Sequence, residues 1–175
     1  RRYVASTEKN KLEKLVDHLL ADEAFIRHTA SELNTLLSDD RNEDLRPYLL
    51  ASLASNKGWD QMFREMISGD TREPSNQGPT SFVLKRINDL DKLTNVTSAI
   101  FFGINISCAK CHDHPLVSEW TQSHFFGMKS FFSRSFGNGD FLGEREYGAV
   151  QFKTTSGETL DAKMMFLDGA TVGEP

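Results

Sequence analysis

The chain has 175 residues, 38% of them hydrophobic and 26% charged, with a net charge of −5; it is long enough to bury a core without staples, and its composition is that of a globular protein rather than a disordered one. Acids and bases are interleaved with no basic block, which leaves no electrostatic footprint for nucleic acid. The longest apolar cluster, AIFFGINI at 99–106, is far too short to cross a bilayer.

The sequence opens on RRYVAS with no initiator Met and no leader pattern, so it reads as a processed or trimmed chain, and export is not legible at this end. The first ninety residues carry helical periodicity. STEKNKLEKLVDHLL places Leu12, Leu15, Val16, Leu19 and Leu20 on one face, with Ser6 or Thr7 as the cap. Asp22 caps a second helix, EAFIRHTASELNTLLS, whose stripe is Phe25, Ile26, Leu33, Leu36 and Leu37, and SDDRNED ends it; the two are expected to pack as a helical hairpin. Asp44 opens LRPYLLASLASN, where Pro47 is tolerable because it falls in the first turn. GWDQMFREMISGD predicts a helix burying Trp59, Met62, Phe63, Met66 and Ile67, with Gly69 at its end.

TREPSNQGPT reads as a surface loop and the best internal boundary candidate. From Thr80 the helical pattern resumes, and DKLTNVTSAIFFGIN runs its apolar end straight into the cysteines. DHPLVSEW is expected to be extended by Pro115, and TQSHFFGMKSFF to return to helix with Phe125, Met128, Phe131 and Phe132 inward. The Gly-rich SFGNGD ends that helix, and REYGAVQFKT and TLDAKMMFL, joined by TSGE, read as a β-hairpin. The expected fold is mainly α, a single domain over 1–175 with a multi-helix haem-binding part, 1–134, and a loop plus small β element, 135–175. Two glycosylation-type triplets, at Asn95 and Asn105, fall in what reads as a buried helix and are discounted.

The stretch CAKCHDHP, 108–115, holds both cysteines and two of the five histidines. Cys108, two residues, Cys111 and His112 stand in the order of covalent c-type haem attachment. Two thiols at that spacing can each add to one porphyrin vinyl group, and the next residue then offers its imidazole as the proximal iron ligand. Phe101, Phe102, Trp120, Phe125, Phe126, Phe131 and Phe132 flank the motif as material for a dry aromatic slot, with Phe102, Trp120 and Phe125 the foremost haem contacts. Two other readings use the same atoms. A Cys₂His₂ zinc site would draw on His112, His114 or His124, although only one ligand pair is clear. A disulfide would close the pair, although no thioredoxin-like βαβ pattern precedes it.

The stretch TSAIFFGINISCAKCHDHPLVSEWTQSHFFGMKSFF resembles the planctomycete-type cytochrome-associated domain, a family of unknown function whose members join a CHDHP motif to a following Trp-Thr-Gln helix. LEKLVDHLLADEAF, YLLASLASNKGWDQMFREMISGD and GAVQFKTTSGETLDAKMMFLDG resemble that family's other segments in order, so the likeness covers nearly the whole chain. It implies an exported bacterial protein, periplasmic or extracellular, with a haem-type motif and no settled activity; larger members carry further domains that are missing here.

A sixth ligand separates an electron carrier from a catalyst or gas sensor. His114 follows His112 too closely to reach the opposite face of a macrocycle, and its expected work is to order the loop with Asp113 or bond a propionate. His124 and Met128, four apart on the next helix, are the leading distal candidates. His124 departs from the resembled family's pattern, where an acidic residue is usual. The leading expectation is a monohaem c-type cytochrome, an electron carrier rather than an enzyme, with covalent haem c and a redox partner protein or a neighbouring haem subunit in a homo-oligomer. A haem enzyme or peroxide or gas sensor with an open distal position, and a structural module with zinc or a disulfide at the motif, are the alternatives.

Overall fold

The computed structural model describes residues 2–5, 7–38 and 44–173. It is mainly α, with two small antiparallel strand pairs, and the chain divides into two compact units, Arg1–Met62 and Phe63–Pro175.

The first unit contains α1 (Arg2–Ala5), α2 (Lys11–Leu20), α3 (Glu23–Leu37) and α4 (Arg46–Ala54), and α5 (Trp59–Ser68) begins in it. The expected first helix starts later than its periodicity predicts: Thr7 lies outside α2, which begins after Asn10, and Ser6 falls outside the described residues. Its apolar stripe is not buried. Leu12, Val16, Leu19 and Leu20 are exposed and Leu15 is only half-buried, so α2 meets α3 without burying its stripe, and the more extensive packing is that of α3 on α4, where Leu37, Leu45 and Leu49 are buried. Amphipathicity selects a face for burial but not its partner. The Asp22 cap is as expected, its carboxylate accepting from the Ala24 N–H at 2.8 Å. Asp44 accepts from the Arg46 N–H at 3.0 Å, and Pro47 sits in the first turn of α4. The SDD segment at 38–40 has its aspartates outside the described residues. In α5 Met62 and Met66 are buried, Phe63 and Ile67 half-buried, and Trp59 is exposed, contrary to expectation.

The second unit departs from the sequence-based expectation in several places. The expected loop at 71–80 is largely helix, α6 (Pro74–Leu84). Pro74 occupies the first turn, where its missing N–H costs nothing, and Thr80 Oγ1 donates to the Asn76 carbonyl at 2.7 Å, beside the interior Pro79. Pro79, Thr80, Phe82 and Val83 are buried, and that burial holds a segment of poor helix propensity in helical form. The Gly-rich end of the last helix is a hairpin, β1 (Ser135–Asn138) against β2 (Phe141–Glu144), turning on Gly139 at φ 60° and Asp140. Thr71 anchors it, accepting at Oγ1 from the Leu142 N–H at 3.1 Å.

α7 (Leu90–Phe102) and α8 (Gln122–Ser130) pack together and carry the cysteine turn between them. The predicted C-terminal hairpin is present but short, β3 (Gln151–Lys153) against β4 (Thr159–Asp161), with Phe152 opposite Leu160. Phe152 stacks on Phe126 of α8 with centroids 4.4 Å apart. The middle of α8 is glycine for a steric reason: a Cβ on Gly127 would stand 2.5 Å from Met165 Cβ and 3.0 Å from the Lys163 carbonyl. The C-terminal segment thus lies directly on the helix backbone. No helix among the described residues is long and apolar enough to cross a membrane.

Candidate functional site

α7 ends at left-handed Gly103, and the Ile104 N–H returns to the Ser98 carbonyl at 3.1 Å. Asn105 then accepts from both the Ser107 N–H (3.0 Å) and the Ser107 hydroxyl (2.7 Å), a side-chain turn that starts the 3₁₀ turn Ser107–Lys110. Asn105 is exposed and lies outside the helix, whereas the apolar pattern of the sequence places it inside. A 3₁₀ turn repeats every three residues, so its two faces separate cleanly here. Ile106 and Ala109 are wholly buried against Phe125 and Met128, whereas Cys108, Cys111 and His112 face solvent. Both thiols are free.

His112 Nδ1 lies 2.7 Å from the Asp113 carbonyl. A carbonyl only accepts, so Nδ1 carries the proton and Nε2 presents its lone pair, the tautomer of an imidazole prepared for a metal. The rest of CHDHP organises the loop, which is irregular rather than extended. The Asp113 carboxylate accepts from the Gln122 N–H at 3.3 Å, at the start of α8. His114 Nδ1 accepts from the Leu116 N–H (3.3 Å) and the Val117 N–H (3.2 Å), its own backbone N–H donates to the Trp120 carbonyl (2.8 Å), and its ring meets the Trp120 ring edge-on at 5.4 Å. His114 therefore organises the loop, one of the two roles expected of it, through Leu116, Val117 and Trp120.

Two side chains outside the motif hold it in place. Asp91 of α7 bonds Lys110, between the cysteines, at 2.8 Å and Lys129 of α8 at 2.7 Å. Burial alone would raise the Asp91 carboxyl, but the bonds from the two lysines outweigh it and hold the group below its ordinary value. Buried Gln122 donates to the Lys110 carbonyl (3.3 Å) and the Lys153 carbonyl (3.4 Å) and accepts from the Thr155 N–H (3.2 Å). Neither role is legible in the sequence, where the Trp-Thr-Gln string enters only through a resemblance.

The other predicted contacts differ in burial. Phe125 is wholly buried beneath Ala109, Trp120 is half-buried against the same cluster, and Phe102 is exposed at the end of α7. Met128 is buried in that cluster. His124 is a capping residue: its Nδ1 lies 3.2 Å from both the Thr121 N–H and the Thr121 hydroxyl. Among the described residues no three His, Cys, Asp or Glu side chains gather as a metal-ion cluster, so the Cys₂His₂ set is not assembled.

These features define a mainly helical protein that displays a Cys-x-x-Cys-His turn on a packed base. The chain belongs to the PSCyt2 family, described as "Protein of unknown function (DUF1549)", whose model matches residues 1–136. No curated protein and no solved structure matches it.

Proposed function

We propose that this protein is a monohaem c-type cytochrome that carries single electrons outside the cytoplasm, in the periplasm or extracellularly. The observation that carries the reading is the two-faced turn. Ala109 anchors it inward while Cys108, Cys111 and His112 stand in solvent, and Asp113 holds His112 in the tautomer that frees Nε2. The donor set fits a covalently held haem, with the two thiols as thioether partners and His112 as proximal ligand. When bound, haem c supplies one-electron chemistry at its iron. The chain's own residues position the attachment turn: Gln122 and Asp91 fix its backbone and its lysine, and Asp113 orients the imidazole. The partner is a redox protein or the haem of a neighbouring subunit.

A second reading keeps the haem and leaves the sixth position open for peroxide or a small gas. It is favoured by the engagement of His124 Nδ1 in the α8 cap and by the burial of Met128 in the core. Intact-mass spectrometry of natively matured protein tests both readings at once: one haem of added mass is expected, and the bare polypeptide mass would overturn them. Carbon monoxide then separates them, a reduced spectrum that ignores it supporting the carrier and ready binding supporting the open site.

A further inference from the structure

The second unit contains a cleft of about 650 Å³ with apolar walls that include Phe63, Ile67, Phe102, Phe141 and Met128, the last also part of the core beneath the cysteine turn. An adjoining hollow of about 470 Å³ shares Phe102, Met128 and Phe166 with it. The size is that of small-molecule sites. Phe102, Phe141 and Phe166 are 45%, 42% and 45% exposed, so aromatic surface stands open to water around a concavity instead of closing over it.

One polar group in this wall is unused. Thr97 lines the cleft, is 1% exposed, and its hydroxyl has no hydrogen-bond partner. Buried helical hydroxyls elsewhere in the unit bond back along their own helix: Thr94 to the Leu90 carbonyl at 2.7 Å, Thr80 to the Asn76 carbonyl at 2.7 Å, and Ser130 to the Phe126 carbonyl at 2.8 Å. Thr97 and its neighbour Ser98 depart from that pattern, and of the two it is Thr97 that lines the cleft. Buried polar groups are satisfied as a rule, so an unpaired hydroxyl in an apolar wall marks where a partner fits. Formal charge at the rim is largely internally matched, with Arg72 bonded to Asp70 at 2.6 Å and 2.9 Å.

We propose that this cleft binds a neutral small molecule with an apolar ring or chain and one hydroxyl or carbonyl, which pairs with the Thr97 hydroxyl. Cys108, Cys111 and His112 do not line the cleft, although Phe102, Met128, Phe131 and Phe132 of the expected haem surroundings do; the inference rests on the cleft and Thr97 and not on attachment of a haem.

The test is calorimetric titration of the full chain, as purified, with 1-naphthol, a neutral ring compound carrying one hydroxyl. The expected result is one saturable site with a negative heat-capacity change. Ile67→Trp, which fills the wall, weakens binding at least tenfold. Thr97→Val weakens it about fivefold, the worth of one neutral hydrogen bond, while Thr97→Ser, which keeps the hydroxyl, stays within about twofold of wild type. Circular dichroism checks that each variant is folded, and the Ser and Trp variants carry the test if the Val variant is not. Absence of saturable binding overturns the proposal, as do unchanged affinity in Ile67→Trp or equal affinities in folded Val and Ser variants.

Discussion

The Gln122 side-chain amide donates to the Lys110 carbonyl at 3.3 Å, joining the first turn of α8 to the residue between the two cysteines. The same amide group reaches the Lys153 carbonyl and the Thr155 N–H, so one buried side chain ties the cysteine turn to the C-terminal hairpin.

Gln122→Ala leaves two carbonyls and one N–H without their partner, and is expected to destabilise the fold by about 2 kcal/mol. Denaturant unfolding reads the loss, and an unchanged midpoint would remove Gln122 from the account. If the proposed haem is attached there, its loading per chain should fall as well, since the turn loses one of its anchors.

Asp91→Asn breaks the bonds to Lys110 and Lys129, at a cost of about 1 kcal/mol near neutrality. The folded Asp91 carboxyl is more acidic than its ordinary value of 3.8. The stabilisation is therefore complete above that value and is lost as pH falls through the lower folded one. Unfolding curves of wild type and variant should differ at pH 7 and converge in acid; a constant gap across that range would contradict the assignment.

Cys108→Ala with Cys111→Ala removes both proposed thioether partners while Ala109 and Ile106 still anchor the turn from within. Natively matured double variant should show the bare polypeptide mass and a near-native circular dichroism spectrum. On the proposed haem reading, His112→Ala should retain the added haem mass and shift the visible spectrum, because it removes the proposed iron ligand and not the proposed attachment points. An identical spectrum would rule His112 out as the proximal ligand.

Gly127→Ala drives a methyl into Met165 and the Lys163 carbonyl, and is expected to cost about 1–3 kcal/mol even though alanine is the better helix former. Thermal unfolding measures it, and a stabilised variant would mean that the C-terminal segment does not rest on α8.

His114→Leu removes the acceptor for the Leu116 and Val117 N–H groups and the ring that meets Trp120 edge-on. Hydrogen exchange at those two amides should speed up with the global stability lowered by about 1 kcal/mol. Protection unchanged at both amides would show that the loop is held by other means.

Local signals were legible in the sequence where the structure they encode is also local. The Asp22 cap and the first-turn Pro47 are decided within a few residues of chain, and so is the Cys-x-x-Cys-His order itself. Pro74–Leu84 misled because its prolines, glycine and polar residues speak for a loop, whereas burial of Phe82 and Val83, invisible to local propensity, makes it a helix. α2 misled in the other direction: its apolar stripe is real, yet most of it is exposed.

The residue order alone determined that the chain is mainly helical and that two thiols and an imidazole fall close together along it, because periodicity and residue spacing act over a few bonds. Only the tertiary structure decided which face of the cysteine turn is anchored, that Asp91 and Gln122 hold it, and that Thr97 lines an apolar cleft with its hydroxyl unpaired. Those contacts join residues up to 38 positions apart, and a long-range hydrogen bond or a cavity wall leaves no period in the sequence to read.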